Sequence, residues 1–141
     1  MLVMWLAVVV LVIVTVQVHY EALRGISFVM ARWHPRVRSH LIPMMIAIIF
    51  ARLIEVAIFA VGFYVVAEGF GEGALEGKLG GTYRDYLYHS AVSYTSLGLG
   101  DVFPTGHLRL LTGVEALTGL LMITWSASFT YLEMTKTWNR G

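Results

Sequence analysis

The sequence predicts an all-α membrane protein: three transmembrane helices, a re-entrant half-helix, and a non-helical loop between the second and third spans. Composition is the first reason. Of 141 residues, 57% are hydrophobic and 13% charged, and the mean hydropathy of +0.71 describes a chain whose solvent is lipid. The second reason is three apolar runs, Leu2 to Val18, Leu41 to Ala67 and Leu108 to Tyr131, each near or beyond the about 20 residues that cross a bilayer. The third is Tyr94-Thr95-Ser96-Leu97-Gly98-Leu99-Gly100-Asp101, which sets alternating glycines between two such runs.

The first run has no basic leader and no small-x-small site before Arg24, so it is expected to stay as a span and not to be cleaved as a signal peptide. Arg24, Arg32, Arg36 and Arg38 follow it, and Lys136 and Arg140 follow the third run. Basic residues in short loops mark the cytoplasmic side. The connection from Glu68 to His107 holds Lys78 and Arg84 against Glu68, Glu72, Glu76, Asp85 and Asp101, which places it outside together with the amino terminus. The carboxyl terminus is then cytoplasmic. The stretch Tyr20 to His40, with Trp33 and its arginines, is suited to lie on the inner membrane surface.

The outer connection changes character along its length. Gly69, Gly71, Gly73, Gly77, Gly80 and Gly81 predict a flexible turret. Thr82-Tyr83-Arg84-Asp85 then matches a capping box, and Tyr86 to Thr95 contains neither glycine nor proline, so a helix is expected to start there. It is too short to span and should be a re-entrant half-helix. Non-helical backbone at membrane depth must be buried in protein or line a watery path. Gly98 and Gly100 permit left-handed conformations that turn successive carbonyls toward one axis. Rings of carbonyls replace the hydration shell of a cation, and the carboxyl end of the half-helix adds partial negative charge. One loop supplies a quarter of such a ring, so assembly as a homotetramer around a central axis is implied.

Residues from Tyr83 to Phe129 resemble the pore module of the tetrameric potassium-channel superfamily, with the second span as outer helix and the first span as an extra amino-terminal helix. Thr95-Ser96-Leu97-Gly98-Leu99-Gly100-Asp101 is similar to the family pattern T-T-V-G-Y-G-D, and Gly-Leu-Gly resembles the second pore loop of two-pore-domain potassium channels. The resemblance implies monovalent cation sites at Ser96, Leu97, Gly98 and Leu99, with Thr95 leading in and Asp101 at the outer mouth. Ser96 lacks the methyl of the usual threonine, Leu97 is larger than the usual valine or isoleucine, and Leu99 lacks the tyrosine hydroxyl that braces the family's filter. Tyr88 and His89 stand where some members carry a tryptophan pair. The organisation expected is an amino-terminal helix and basic connector over 1–40 and a pore domain over 41–141. The latter divides into an outer helix 41–67, turret 68–81, pore helix 82–95, filter 96–101 and inner helix 107–134.

In the third span Glu115, Gly119, Met122, Ser126, Thr130 and Glu133 recur at spacings of three and four, along one helical face. Met122, Ser126, Thr130 and Glu133 are candidates for the cavity and inner mouth, and ordinary helix packing is the competing role. Gly119 stands where the family often has a hinge glycine, and close packing would also account for it. Charges inside spans face protein or water. Arg52 and Glu55, three apart, can pair, and Glu115 enters from the outer side at similar depth. The expected cluster of Arg52, Glu55 and Glu115 is either a plain structural ion pair or a brace behind the filter.

The five histidines, His19, His34, His40, His89 and His107, show no i, i+4 ligand pattern, so hydrogen bonding or interfacial anchoring is their expected role, and no cofactor is expected. The chain lacks cysteine, a phosphate loop, a nucleophile elbow and an arginine-rich voltage-sensing span. About ten residues follow the third span, too few for a nucleotide- or calcium-binding domain. No enzyme activity or nucleic-acid partner is expected; the partners are further copies of the chain and membrane lipids, and a bacterial inner membrane is the expected location. The leading expectation is a homotetrameric cation channel permeable to potassium. The alternatives are a channel-like tetramer with an altered filter that is non-selective, carries another solute or does not conduct, and an accessory membrane subunit acting through helix contacts.

Overall fold

The computed structural model describes residues 2–32, 41–78 and 80–138. The connector residues Trp33, His34, Arg36, Arg38 and His40, and the terminal Arg140, lie outside the described residues. The elements in order are α1 (Leu2–Arg32), α2 (Leu41–Tyr64, continued by a π-helical turn over Val65–Gly69), β1 (Leu75–Gly77), α3 (Tyr83–Tyr94), β2 (Val102–Pro104) and α4 (Leu108–Trp138). Among the described residues three helices are long and apolar enough to cross a membrane, at Leu2–Arg32, Leu41–Gly69 and Leu108–Lys136. Among the described residues the fold is all-α apart from one short antiparallel pairing of β1 with β2 across α3, and the chain is an integral membrane protein.

α1 extends well past the expected end at Val18. Its 31 residues make a rod of about 46 Å, longer than a hydrocarbon core of about 30 Å. Through Arg32 the segment after Tyr20 continues the helix, where the sequence suggested a piece lying along the membrane surface. Glu21-Ala22-Leu23-Arg24 are good helix formers, and Leu23 packs with Met44 and Ile48 of α2 and with Phe129 of α4.

α1 and α2 run antiparallel in close contact. Met4 and Val8 join Phe59, Phe63 and Val66 in the main core, while Leu23 meets the opposite end of α2. Gly62 permits the approach, because a Cβ there would stand 2.4 Å from a methyl of Leu11. Phe59, Ala60 and Phe63 are fully buried, and they form the surface on which α3 rests.

α3 buries Tyr86, His89, Ser90, Ser93 and Tyr94, which recur at helical spacing on one face. That face is polar, and it finds partners inside the protein. Ser90 Oγ donates to the Val56 carbonyl at 2.8 Å, the His89 ring bonds Thr112 Oγ1 at 3.0 Å, and the same ring meets Phe63 edge-on at 4.9 Å. A 12-residue helix is too short to cross a bilayer, and burial against α2 and α4 is what holds it in place.

The expected loose turret is partly ordered. β1 pairs antiparallel with β2, Leu75 opposite Pro104 and Gly77 opposite Val102, and Lys78 N–H donates to the Asp101 carbonyl at 2.9 Å. The glycines serve this clasp: Gly77 has φ of +115°, and a Cβ on it would lie 2.1 Å from the Asp101 carbonyl oxygen. They allow close backbone approach here and do not loosen the segment.

Candidate ion-conducting site

The start of α3 is fixed by Asp85, whose carboxylate accepts from the backbone N–H of Thr82 at 3.0 Å and of Gly80 at 3.1 Å. These bonds, that from Thr82 foremost, hold the Asp85 carboxyl below the usual carboxylate range, as hydrogen bonding to a charged form does.

At the other end the chain leaves the helix through a loop with a regular conformation. Ser96, Gly98 and Gly100 have φ of +56°, +58° and +76°, and the intervening Leu97 and Leu99 stay outside the positive-φ region. Alternation of left- and right-handed residues turns successive carbonyls to the same side. Ser96 N–H donates to the Ser93 carbonyl at 2.9 Å and Leu97 N–H to the Val92 carbonyl at 2.9 Å. The carbonyls of Ser96, Leu97, Gly98 and Leu99 accept no hydrogen bond from the described residues. A row of unused acceptors at the carboxyl end of a helix favours a cation.

Sequence reasoning found the two glycines but not the left-handed Ser96. Positive φ costs a side-chain-bearing residue about 1–2 kcal/mol and suits a β-branched residue worst. Serine, without the threonine methyl, eases that conformation. Thr95 lies just before this row and returns its hydroxyl to the Ala91 carbonyl at 2.8 Å. Asp101 closes the outer end, accepting from Tyr88 Oη at 2.8 and 3.0 Å and from Val102 N–H at 3.1 Å. The carboxylate bond raises the Tyr88 phenol above its ordinary pKa. Tyr88 thus ties the loop's outer end to α3, a link between two residues that the sequence offered separately.

The inner end of α3 rests on a buried polar cluster. Arg52 Nη1 donates to Glu55 at 3.2 Å and to Tyr94 Oη at 2.9 Å, and Arg52 Nη2 to Ser126 Oγ at 2.8 Å and to the Met122 carbonyl. Tyr94 donates to Glu55. His19 Nδ1 lies 2.8 Å from the other Glu55 oxygen, its Nε2 is 3.5 Å from Ser126 Oγ, and its ring packs on Trp125 at 5.1 Å. The cluster therefore joins all four helices, with Tyr94 two residues from the start of the carbonyl row.

Two sequence expectations need correction. Glu115 is not part of the Arg52–Glu55 cluster; it is fully buried, its Oε1 lies 2.5 Å from Ser90 Oγ on the buried face of α3, and it stands about two to three helical turns along α4 from Met122 and Ser126. His19, Tyr94 and Ser126 take its place around Arg52. Nor are Met122 and Ser126 of the α4 stripe free to line a cavity: both are buried within the chain, where Arg52 bonds the carbonyl of the one and the hydroxyl of the other. Thr130, half-buried, bonds the Ser126 carbonyl at 2.8 Å, and Glu133 pairs with Lys136 at 2.7 Å. Gly119 marks a contact: a Cβ on it would lie 2.0 Å from the Tyr94 carbonyl oxygen, so α4 crosses directly over the end of α3.

The opposite face of α4 carries Thr124, Ser128, Tyr131 and Thr135 at helical spacing. The first three are exposed and Thr135 is half-buried. The hydroxyls of Thr124 and Ser128 bond back to the carbonyls of Leu120 at 2.9 Å and Thr124 at 3.1 Å. Only their facing direction reveals them, since serine and threonine stud the whole helix.

Among known proteins, a family model described as an ion channel matches residues 44–136. That range begins in α2 and ends near the end of α4, taking in β1, α3, the carbonyl loop and β2 and leaving α1 outside. No curated protein and no solved structure gives a significant match.

Proposed function

The chain belongs to the ion-channel family, and from that premise we propose that it forms a homotetrameric cation channel, permeable to potassium, that conducts through the Ser96–Leu99 carbonyls. The observation that carries the reading is the alternation of positive φ at Ser96, Gly98 and Gly100 directly after a helix whose carboxyl end points at the loop. Four such rows around one axis would supply rings of oxygens in place of water. Asp101, braced by Tyr88, would then stand at the outer mouth, with the amino terminus on the same side.

The cavity below the filter is assigned to the exposed hydroxyl face, Thr124, Ser128, Tyr131 and Thr135. Met122 and Ser126 instead support the filter from behind through Arg52. In this arrangement the Arg52–Glu55–Tyr94 cluster takes the bracing role that the Leu99 position cannot fill, having no hydroxyl. α1 adds His19 to the same brace and packs outside the pore helices.

The decisive experiment is barium-sensitive potassium uptake into liposomes holding the purified chain, with a sodium set in parallel and Gly98→Ala as control. Potassium uptake abolished in the control is expected. Equal sodium and potassium uptake would replace the reading with a non-selective pore, and the absence of uptake from verified open tetramers would overturn conduction.

A further inference from the structure

At the outer end of the molecule, away from the carbonyl loop, a cavity of about 480 Å³ lies between the end of α2, the turret and the first turn of α3. Tyr64, Tyr83 and Tyr86 line it together with Glu68 and Asp85, and no lysine or arginine is among the described residues lining it. The Tyr64 ring stands 6.0 Å from that of Tyr83 at an interplanar angle of 75° and 5.5 Å from that of Tyr86 at 87°. The Tyr64 ring is thus steeply inclined to both of the others, and the three rings form the aromatic walls of a box. Tyr64 and Tyr83 are 45% and 41% exposed, whereas Tyr86 is 8% exposed, so the box has an open side and a buried floor.

The electrostatics of the box have one sign. Aromatic faces are negative, and two carboxylates stand beside them. Tyr86 Oη donates to Glu68 Oε1 at 2.7 Å, which fixes both residues. Burial, foremost, pushes the Tyr86 phenol up to about 12, so it remains a neutral donor at physiological pH. Asp85 is held by the Gly80 and Thr82 amides. With these bonds in place, the carboxylate oxygens are poorly arranged to replace the water shell of a small inorganic ion. A cation that carries methyl groups has no N–H to satisfy and a weak water shell, and it gains most from ring faces with nearby charge.

We propose that this box binds a trimethylammonium-type organic cation, the rings contacting the methyl groups and Glu68 and Asp85 balancing the charge. The cation can come from a free solute or from a choline lipid headgroup at the outer surface, and the chemistry recognised is the same. The site does not depend on the conduction reading, because none of its residues belongs to the carbonyl loop.

The test is saturation-transfer NMR of tetramethylammonium against the full chain in maltoside micelles. Saturable binding is expected, weakened by a large excess of potassium chloride no more than by the same concentration of sodium chloride, as screening alone requires. Affinity should be lowered about tenfold in Tyr83→Leu and several-fold in Glu68→Gln, which keeps the shape of the box. Asp101→Asn separates this site from the loop's outer mouth and should leave binding unchanged. In nanodiscs, weaker apparent binding in phosphatidylcholine than in phosphatidylethanolamine, which has the same net charge without the methyl groups, supports the proposal with the headgroup as source, and equal binding supports it with a free solute. Absence of saturable binding, binding indifferent to both Tyr83→Leu and Glu68→Gln, or binding lost in Asp101→Asn would overturn the proposal.

Discussion

The two ends of the carbonyl loop are held by different physics. At its outer end a single exposed contact, Tyr88 to Asp101, and a short backbone clasp do the work in or near water. At its inner end a fully buried Glu55 meets Arg52, Tyr94 and His19, and Arg52 reaches on to α4. Exposed contacts are individually worth little and are screened. Buried charge networks are costly to break, because each lost partner strands another group without water. The inner end should therefore govern whether the chain folds and assembles, and the outer end how the loop behaves once it has.

Removing the guanidinium breaks the comparison most sharply. Arg52→Leu leaves Glu55 buried with one charged partner fewer and frees the Met122 carbonyl and Ser126. A loss of about 3–5 kcal/mol in stability is expected for a buried pair deprived of one member, seen as loss of monodisperse protein in thermal-shift and size-exclusion measurements. Arg52→Leu protein as stable as wild type would show that the cluster is not what holds the inner end. If assembly survived and only ion flux changed, the cluster would be tuning the loop alone.

The same contrast explains what could be read from sequence. The loop was legible because backbone conformation imposes residue types at fixed spacing: Gly98 and Gly100 announce positive φ, and Thr82 with Asp85 announces the helix before them. Ser96 escaped, since serine does not advertise a left-handed residue. The buried cluster was half legible. Arg52 and Glu55 are three apart in an apolar run, which exposes them as a pair, but their other partners lie 36 to 74 positions away. A membrane helix also hides its buried face. Met4, Val8, Thr15, His19 and Leu23 of α1 are buried, yet lipid-facing residues around them are equally apolar, so no amphipathic pattern picks out that stripe. For α4 the sequence leaves cavity lining and helix packing open for a related reason: polar residues occur on both faces, and only the position of Arg52 decides which side turns inward. The turret was misjudged because glycine permits tight pairing as readily as flexibility.

A smaller effect sharpens the comparison at the crossing of α4 over α3. In Gly119→Ala the new methyl would meet the Tyr94 carbonyl oxygen, a backbone atom that cannot swing aside. Overpacking of this kind costs about 1–3 kcal/mol, less than loss of Arg52. Because the displaced atom leads into the loop, ion flux should fall while the protein still purifies as the wild-type assembly. Should flux remain at the wild-type level with an unchanged melting temperature, the close crossing would have no hold on the loop.

The smallest effect belongs to the outer end. Tyr88→Phe removes one hydroxyl from an exposed site, so melting temperature should move little, while the Asp101 carboxylate gains freedom and flux or its barium sensitivity should shift measurably. The raised Tyr88 pKa gives the pH dependence its sign. A phenol whose pKa is higher in the folded state adds stability that is fully present below its unfolded value of about 10 and fades as pH rises through the higher folded value. Alkaline pH removes the proton that Tyr88 donates and sets a phenolate beside the carboxylate. Wild type and Tyr88→Phe should therefore differ in flux at neutral pH, and the difference should change only as the pH is raised above about 10, where wild type alone gains a phenolate beside Asp101. No difference in flux at any pH would mean that Tyr88 acts on the loop through its ring, which phenylalanine keeps, and the outer end would then be held by packing and not by a bond at the water's edge.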